Sequence, residues 1–294
     1  MVLDAQSLEA CLRILIISDG KAGHLNQSIA FAKLKDLKYD ILEIKNSLKL
    51  LTYILDFTGI YVNLFSLHIK DKNYNAVVSA GSSTYYANRY TAKKLGIKSI
   101  AIMLPRNFRL RGFDYIIALE HDNPKPAKNI ITIPIALSVS EPKGYIKKSK
   151  KPSLGIILGG DNSVFKMEKK KIKRALDKIF KNYPEHLKYI TTSRRTPKEI
   201  DKLLENYKFD YEIIYSKNNS INPIPDFLEI CDELFISIDS ASMLSEARAC
   251  SNAKIHIIEL QSKKKDTKFH KLALTIKELK SRFDFSPYLE KVKL

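Results

Sequence analysis

The stretch Leu12-Arg13-Ile14-Leu15-Ile16-Ile17-Ser18-Asp19-Gly20-Lys21-Ala22-Gly23-His24-Leu25-Asn26-Gln27 decides the fold. Its apolar run, Leu12–Ile17, is too short to span a bilayer and reads as a buried strand. It runs into a glycine loop, Ser18–His24, and then into a helix expected over Asn26–Leu37. Strand, glycine loop and helix together are the opening unit of an open α/β sheet. Gly20 and Gly23 let the backbone approach a ligand, and the helix start favours an anion. The loop lacks the full GxGxxG pattern, so a dinucleotide cofactor is not supported. His24, beside Asp19, reads as a general base or phosphate donor, with Asp19 as the other candidate to take a proton; the competing reading is a histidine that caps the helix.

Working outward, the pattern repeats. Strands are expected at Tyr39–Ile44, Ala76–Ser79, Ser99–Met103, Tyr115–Leu119 and Ile130–Ile133, with a helix over Thr84–Leu95. The polar, proline-flanked stretch Ser140–Pro152 reads as an interdomain linker. The alternation then restarts, with strands at Leu154–Leu158, Tyr189–Thr192, Tyr211–Ile214, Leu234–Ser237 and Ile255–Ile258. Helices are expected over Met167–Phe180, from Pro197, and over Met243–Cys250. The expected class is therefore α/β: two Rossmann-like domains with open parallel sheets, residues 1–140 and 153–294, facing a cleft. The last residues are allowed to pack back on the first domain. In such sheets ligands sit at the carboxyl ends of the strands.

Five further loops end strands. In Ser79–Thr84, Gly81 and Ser82 are candidates for phosphate, against ordinary capping by hydroxyls. Glu120-His121-Asp122 reads as a polar cluster in the cleft rather than a metal site, because no ligand spacing accompanies it. Gly159-Gly160-Asp161 mirrors the first loop, and Gly160 is a candidate for phosphate or simply for a tight turn. Arg194 and Arg195, at a helix entrance, suit a diphosphate, with plain surface arginines as the alternative. In Ile236–Ala247, Ser240 and Ser242 stand where backbone N–H groups would hold phosphate. Glu246 follows one helical turn later, where a carboxylate can accept from a ribose diol; the alternative is a capping-box arrangement with Ser242.

Composition limits the remaining choices. The 294 residues carry a net charge of +18, and 45% are hydrophobic, enough to build a core. Cys11, Cys231 and Cys250 are too scattered for a disulfide framework, a zinc ribbon or an iron–sulfur cluster. The N-terminus does not read as a secretory signal. The charge suits polyanions, but no nucleic-acid motif accompanies it, so no specific nucleic-acid partner is expected. Leu48–Ile69 is long, yet Lys49, Asp56 and Asn63 argue against a transmembrane helix. The choice there lies between a helix packed in the core and one lying on an anionic membrane surface.

Read together, SDGKAGHLNQ (18–27), PRNFRLRGFDYIIALEHD (105–122), TTSRRTP (191–197), DSASMLSEA (239–247) and KFH (268–270) resemble the family of the plant mitochondrial-fission factor and its bacterial homologues. The sequence departs from that family at Cys250–Lys254, where relatives carry a Gly-Lys-Pro turn. The resemblance implies a GT-B fold like that of the MurG-type glycosyltransferases. It places an acceptor-facing role on Gly23 and His24, and a nucleotide-binding role on Ser240, Ser242 and Glu246. The implied activity is glycosyl transfer from a nucleotide-sugar co-substrate to a cell-envelope or lipid-linked acceptor, with no metal and no further cofactor. The expected location is the cytoplasm, at the inner face of a membrane. An epimerase or hydrolase of the same fold, and a non-catalytic membrane adaptor, remain alternatives.

Overall fold

A computed structural model of the chain describes residues 12–65, 69, 73–265 and 268–294. Cys11, the N-terminal stretch before it and residues 66–68 of the long apolar stretch lie outside these residues. The chain divides into two compact units: the residues up to Val139 together with Asp284–Leu294, and Ser140–Phe283.

The first unit holds strands β1 (Arg13–Ser18), β2 (Lys38–Glu43), β3 (Ala76–Ala80), β4 (Lys98–Ile102), β5 (Tyr115–Leu119) and β6 (Ile130–Ile133). They form one parallel sheet in the order β2-β1-β3-β4-β5-β6. Ile14, Ile16, Val77, Val78, Ile100 and Ile116 are fully buried, as strands covered on both faces require. Helices α1 (Ala22–Leu34), α2 (Lys49–Thr58) and α3 (Tyr85–Leu95) connect the strands. The first helix starts at Ala22, earlier than its periodicity suggests, so Gly23 and His24 stand in its first turn rather than in the loop. The long apolar stretch forms α2, which stops at Gly59 in the left-handed conformation that glycine favours. Of the two readings left open for this stretch, a core-packed helix does not fit, because α2 buries only Thr52 and Asp56. Among the described residues no helix is long and apolar enough to cross a membrane.

The second unit repeats the plan with β7 (Ser153–Ile157), β8 (Phe165–Lys166), β9 (Leu187–Thr191), β10 (Tyr211–Ile213), β11 (Glu233–Ser237), β12 (Lys254–Ile258) and β13 (Gln261–Ser262). Five strands are parallel in the order β10-β9-β7-β11-β12, while β8 and β13 make a small antiparallel ribbon. The helices are α4 (Lys169–Asn182), α5 (Lys198–Leu204), α6 (Ile224–Ile230), α7 (Ala241–Cys250) and α8 (Lys268–Glu278). On α4, Ile172, Leu176 and Ile179 recur at helical spacing and enter a core with Leu154, Ile156 and Phe165. The final helix, α9 (Ser286–Leu289), belongs to the first unit, where Lys35 donates to the Leu289 carbonyl (3.1 Å) and Tyr115 accepts from Lys293 N–H (3.2 Å).

The stretch expected to be an interdomain linker is bound within the second unit. The Ser140 hydroxyl donates to Glu246 Oε1 at 3.0 Å. The N–H groups of Lys143, Gly144 and Tyr145 converge on the buried Asp226 carboxylate at 2.9, 2.7 and 3.2 Å. Asp226→Ala leaves three donors without their acceptor and should cost about 3 kcal/mol. Urea unfolding checks the loss, and trypsin should then cut faster after Lys143 and Lys147; Asp177→Ala, at an exposed site, should change neither.

Candidate functional site

In the first sheet the strand order reverses at β1, with β2 on one side and β3 on the other. Such a reversal point, at the carboxyl ends of the strands, is the usual ligand position in open α/β sheets. The structure brings two of the predicted loops together at this point. Asp19 leaves β1 and receives His24 Nδ1 at 3.1 Å, the Ser83 hydroxyl at 2.5 Å and Lys21 Nζ at 3.0 Å. Gly81 has φ +86°, and a Cβ there would lie 2.3 Å from the His24 ring. Glycine is therefore required both by the backbone and by the imidazole packed against it. Burial, the largest single influence on Asp19, pushes its carboxyl up. Hydrogen bonds from Ser83 and Lys21 and the charge of His24 overcome it and hold the carboxyl down at about 2.

The remaining predicted residues of this unit differ in role. Gly20 (φ +75°) makes the turn after β1, and a Cβ there would meet the Glu43 carboxylate. A Cβ at Gly23 would meet nothing within 4 Å, so no packing there demands glycine. Ser82 is exposed, and its carbonyl accepts from Arg109 at 3.2 Å. His121 and Asp122 are half-buried in a short 3-10 turn after β5, at the same end of the sheet but two strands beyond β3.

The second sheet reverses at β7, between β9 and β11. Here the organising residue is Asp239, which sequence reasoning passed over although it stands inside the hydroxyl-rich string. It is buried and accepts from Gly160 N–H (3.0 Å), the Ser237 hydroxyl (2.6 Å) and Arg195 Nη2 (2.7 Å). A Cβ on Gly159 would fall 2.1 Å from this carboxylate, and one on Gly160 would fall 2.0 Å from the Arg195 carbonyl. These glycines thus let three loops pack on one another. Arg195 also donates to the carbonyls of Gly160 and Asp161 at 3.3 and 3.2 Å. The expectation of two arginines on a diphosphate is revised accordingly: Arg195 staples the loops, whereas Arg194 is exposed and forms no ion pair among the described residues.

Ser240 caps α7, its hydroxyl accepting from Met243 N–H (3.4 Å), while Ser242 is exposed in the first turn. The capping box with Ser242 is not formed. Glu246 instead accepts from Ser140, and burial pushes its carboxyl above the usual range. Burial also pushes the thiols of Cys231 and Cys250 up, to about 12 and about 11, so both stay protonated near neutrality.

The family model described as mitochondrial fission ELM1 matches residues 22–292. No curated protein matches the chain. Among solved structures it is similar to the glycosyltransferase of kitacinnamycin, with 12% identity over 96% of this chain and 89% of that one and a TM-score of 0.50. It is also similar to the UDP-GlcNAc 2-epimerase from Neisseria meningitidis bound to UDP-GlcNAc (11% identity, 94% and 96% covered, TM-score 0.48). A third is MurG of Acinetobacter baumannii (14% identity, 90% and 83% covered, TM-score 0.47). The likeness is one of fold: two Rossmann-like domains of the GT-B class.

The lowered Asp19 carboxyl makes an acid-range prediction. The stability it contributes is complete above its ordinary 3.8 and is lost as pH falls from there through about 2. Ser83→Ala removes the strongest contact lowering it. Carbon-detected NMR titration should show the Asp19 carboxyl moving up toward the ordinary value. Less stability should then be lost between pH 4 and pH 2 than in the wild type.

Proposed function

The chain belongs to the mitochondrial fission ELM1 family, and on that premise we propose that it is a nucleotide-sugar-dependent glycosyltransferase with a cell-envelope or lipid-linked acceptor. The observation that carries this reading is the Asp19–His24 pair at the reversal point of the first sheet. Asp19 holds the Nδ1 side of the imidazole, which leaves Nε2 to take a proton, and it stabilises the imidazolium that forms. In the proposed reaction an acceptor hydroxyl gives its proton to His24 Nε2 as its oxygen bonds the anomeric carbon of the sugar. The bond from that carbon to the diphosphate oxygen breaks, and the nucleoside diphosphate leaves.

The second unit supplies the donor side. The first turn of α7, with Ser242 and the exposed Arg194 guanidinium, offers hydrogen bonds and positive charge to a diphosphate. Such fixed donors are worth more in the transition state as charge builds on the leaving group. Glu246 is assigned to the ribose: Ser140 donates to Oε1, and Oε2 is left to accept from the diol.

Two measurements test the roles. A melting screen against UDP-, GDP-, dTDP- and CMP-sugars identifies a donor by stabilisation of about 2.7 kcal/mol at a hundred times Kd. With that donor, His24→Ala should retain binding and lose roughly 10²–10⁴ in kcat. Equal loss of binding and turnover would remove His24 as the base.

The Ser140–Glu246 bond separates structure from recognition. Ser140→Ala should lower stability by about 1 kcal/mol and leave nucleotide affinity in place. Glu246→Ala should lower stability similarly and cut nucleotide affinity by about one to two powers of ten. Titration calorimetry on both variants checks this, and unchanged affinity in Glu246→Ala would take the ribose role from this residue.

A further inference from the structure

Helix α2 is amphipathic in the wrong sense for a water-soluble surface. Two polar residues of its middle turns point inward: Thr52 and Asp56 are 1% and 3% exposed, whereas Lys49 and Thr58 at its ends are exposed. Asp56 is held by Arg109 Nε at 2.8 Å and Arg89 Nη1 at 3.2 Å, and Thr52 donates to the Lys49 carbonyl at 2.9 Å. The opposite face is apolar and open, with Leu50 at 74%, Phe57 at 70% and Ile54 at 49% exposure. At 100° per residue these three fall within about 60° of one another and lie nearly opposite Thr52 and Asp56. Twelve large hydrophobic residues are exposed among those described, and eight of them fall within Leu48–Val62. A concentration of this kind marks a contact surface rather than chance exposure.

Charge indicates what covers it. Between Ile44 and Leu64 the exposed charged side chains are Lys45 and Lys49, because the one acid, Asp56, is buried. Phe108 packs edge-on against Tyr53 and Phe57, at 5.0 and 5.2 Å between ring centres. Phe108 belongs to the turn Asn107–Gly112, in which Arg111 is exposed, as is Arg106 just before it. Glu43, just before this stretch, is exposed beside Lys45 and Leu48, but the helix itself carries no exposed acid, and an apolar helix face whose own charge is cationic complements a bilayer with anionic headgroups. The same helix also walls a cavity of about 430 Å³, to which Lys49, Leu50 and Tyr53 contribute together with Lys21, Ser82 and Arg109. Docking would therefore place the Asp19–His24 end of the first sheet beside the lipid.

We propose that α2 is an interfacial docking helix that lies in the surface of an anionic bilayer, with Leu50, Ile54 and Phe57 entering the acyl boundary and Lys45 and Lys49 among the headgroups. The inference is independent of the glycosyl-transfer reading, since vesicle binding requires no nucleotide.

The test uses the full chain with phosphatidylglycerol-containing vesicles and with vesicles of pure phosphatidylcholine. The wild type should sediment with the former and, once bound, should be only partly released by salt. Leu50→Ser with Phe57→Ser should lower partitioning at least about tenfold while the melting temperature stays within a few degrees. The chain contains no tryptophan, so Phe57→Trp creates a single reporter. Its emission should shift to the blue on anionic vesicles and be quenched by brominated acyl chains. Three results would each overturn the proposal: equal sedimentation of the serine variant, complete release by salt with no blue shift, or a dimer that dissolves in the serine variant while vesicles bind neither protein.

Discussion

One carboxylate at the end of each sheet fixes where the loops of that unit stand. In the second unit Asp239 gathers an N–H from the loop after β7, a hydroxyl from the end of β11 and a guanidinium from the loop after β9. A buried carboxylate without such partners would be costly, and removing one partner of a buried pair typically loses about 3–5 kcal/mol. The close approach works because Gly159 and Gly160 carry no Cβ to obstruct it. Asp19 does the corresponding work in the first unit, where Ser83, Lys21 and His24 converge on it and Gly81 makes room for the imidazole. Parallel sheets leave a crevice where strand order reverses, and in both units the carboxylate stands at that crevice.

This arrangement separates side chains engaged within the loops from side chains left exposed beside them. Arg195, Ser237, Gly159 and Gly160 are engaged with one another or with Asp239. Arg194 and Ser242 are exposed beside them, and His24 keeps one ring nitrogen clear of its aspartate. Preorganisation of this kind matters for group transfer, because donors already in position need no reorganisation as charge develops.

Much of the fold was legible because buried parallel strands are short, branched and apolar, and the loops that end them are rich in glycine and hydroxyls. Ile14–Ile17 and Leu234–Ile236 show this plainly. Polar residues with long-range partners were harder to read. Asp226 lies far in sequence from Lys143–Tyr145, so nothing local marks that stretch as bound. Asp239 stood in view among serines, yet its partners come from two other loops. For helix α2 the sequence leaves two readings open, because periodicity shows that a helix has two faces but not which one turns inward. Asp56 settles that through Arg89 and Arg109, which are 33 and 53 positions further along the chain. A charged residue whose cationic partners come from distant parts of the chain gives no local sign of burial.

In the reaction we propose, the loops that Asp239 assembles hold the nucleotide-sugar donor. Hydrogen exchange with and without the donor that raises the melting temperature tests it most directly. The account predicts slower exchange concentrated in residues 158–163, 193–196 and 239–246, with the strands beneath them unchanged. Stabilisation without protection of those loops, or protection confined to the first unit, would contradict it.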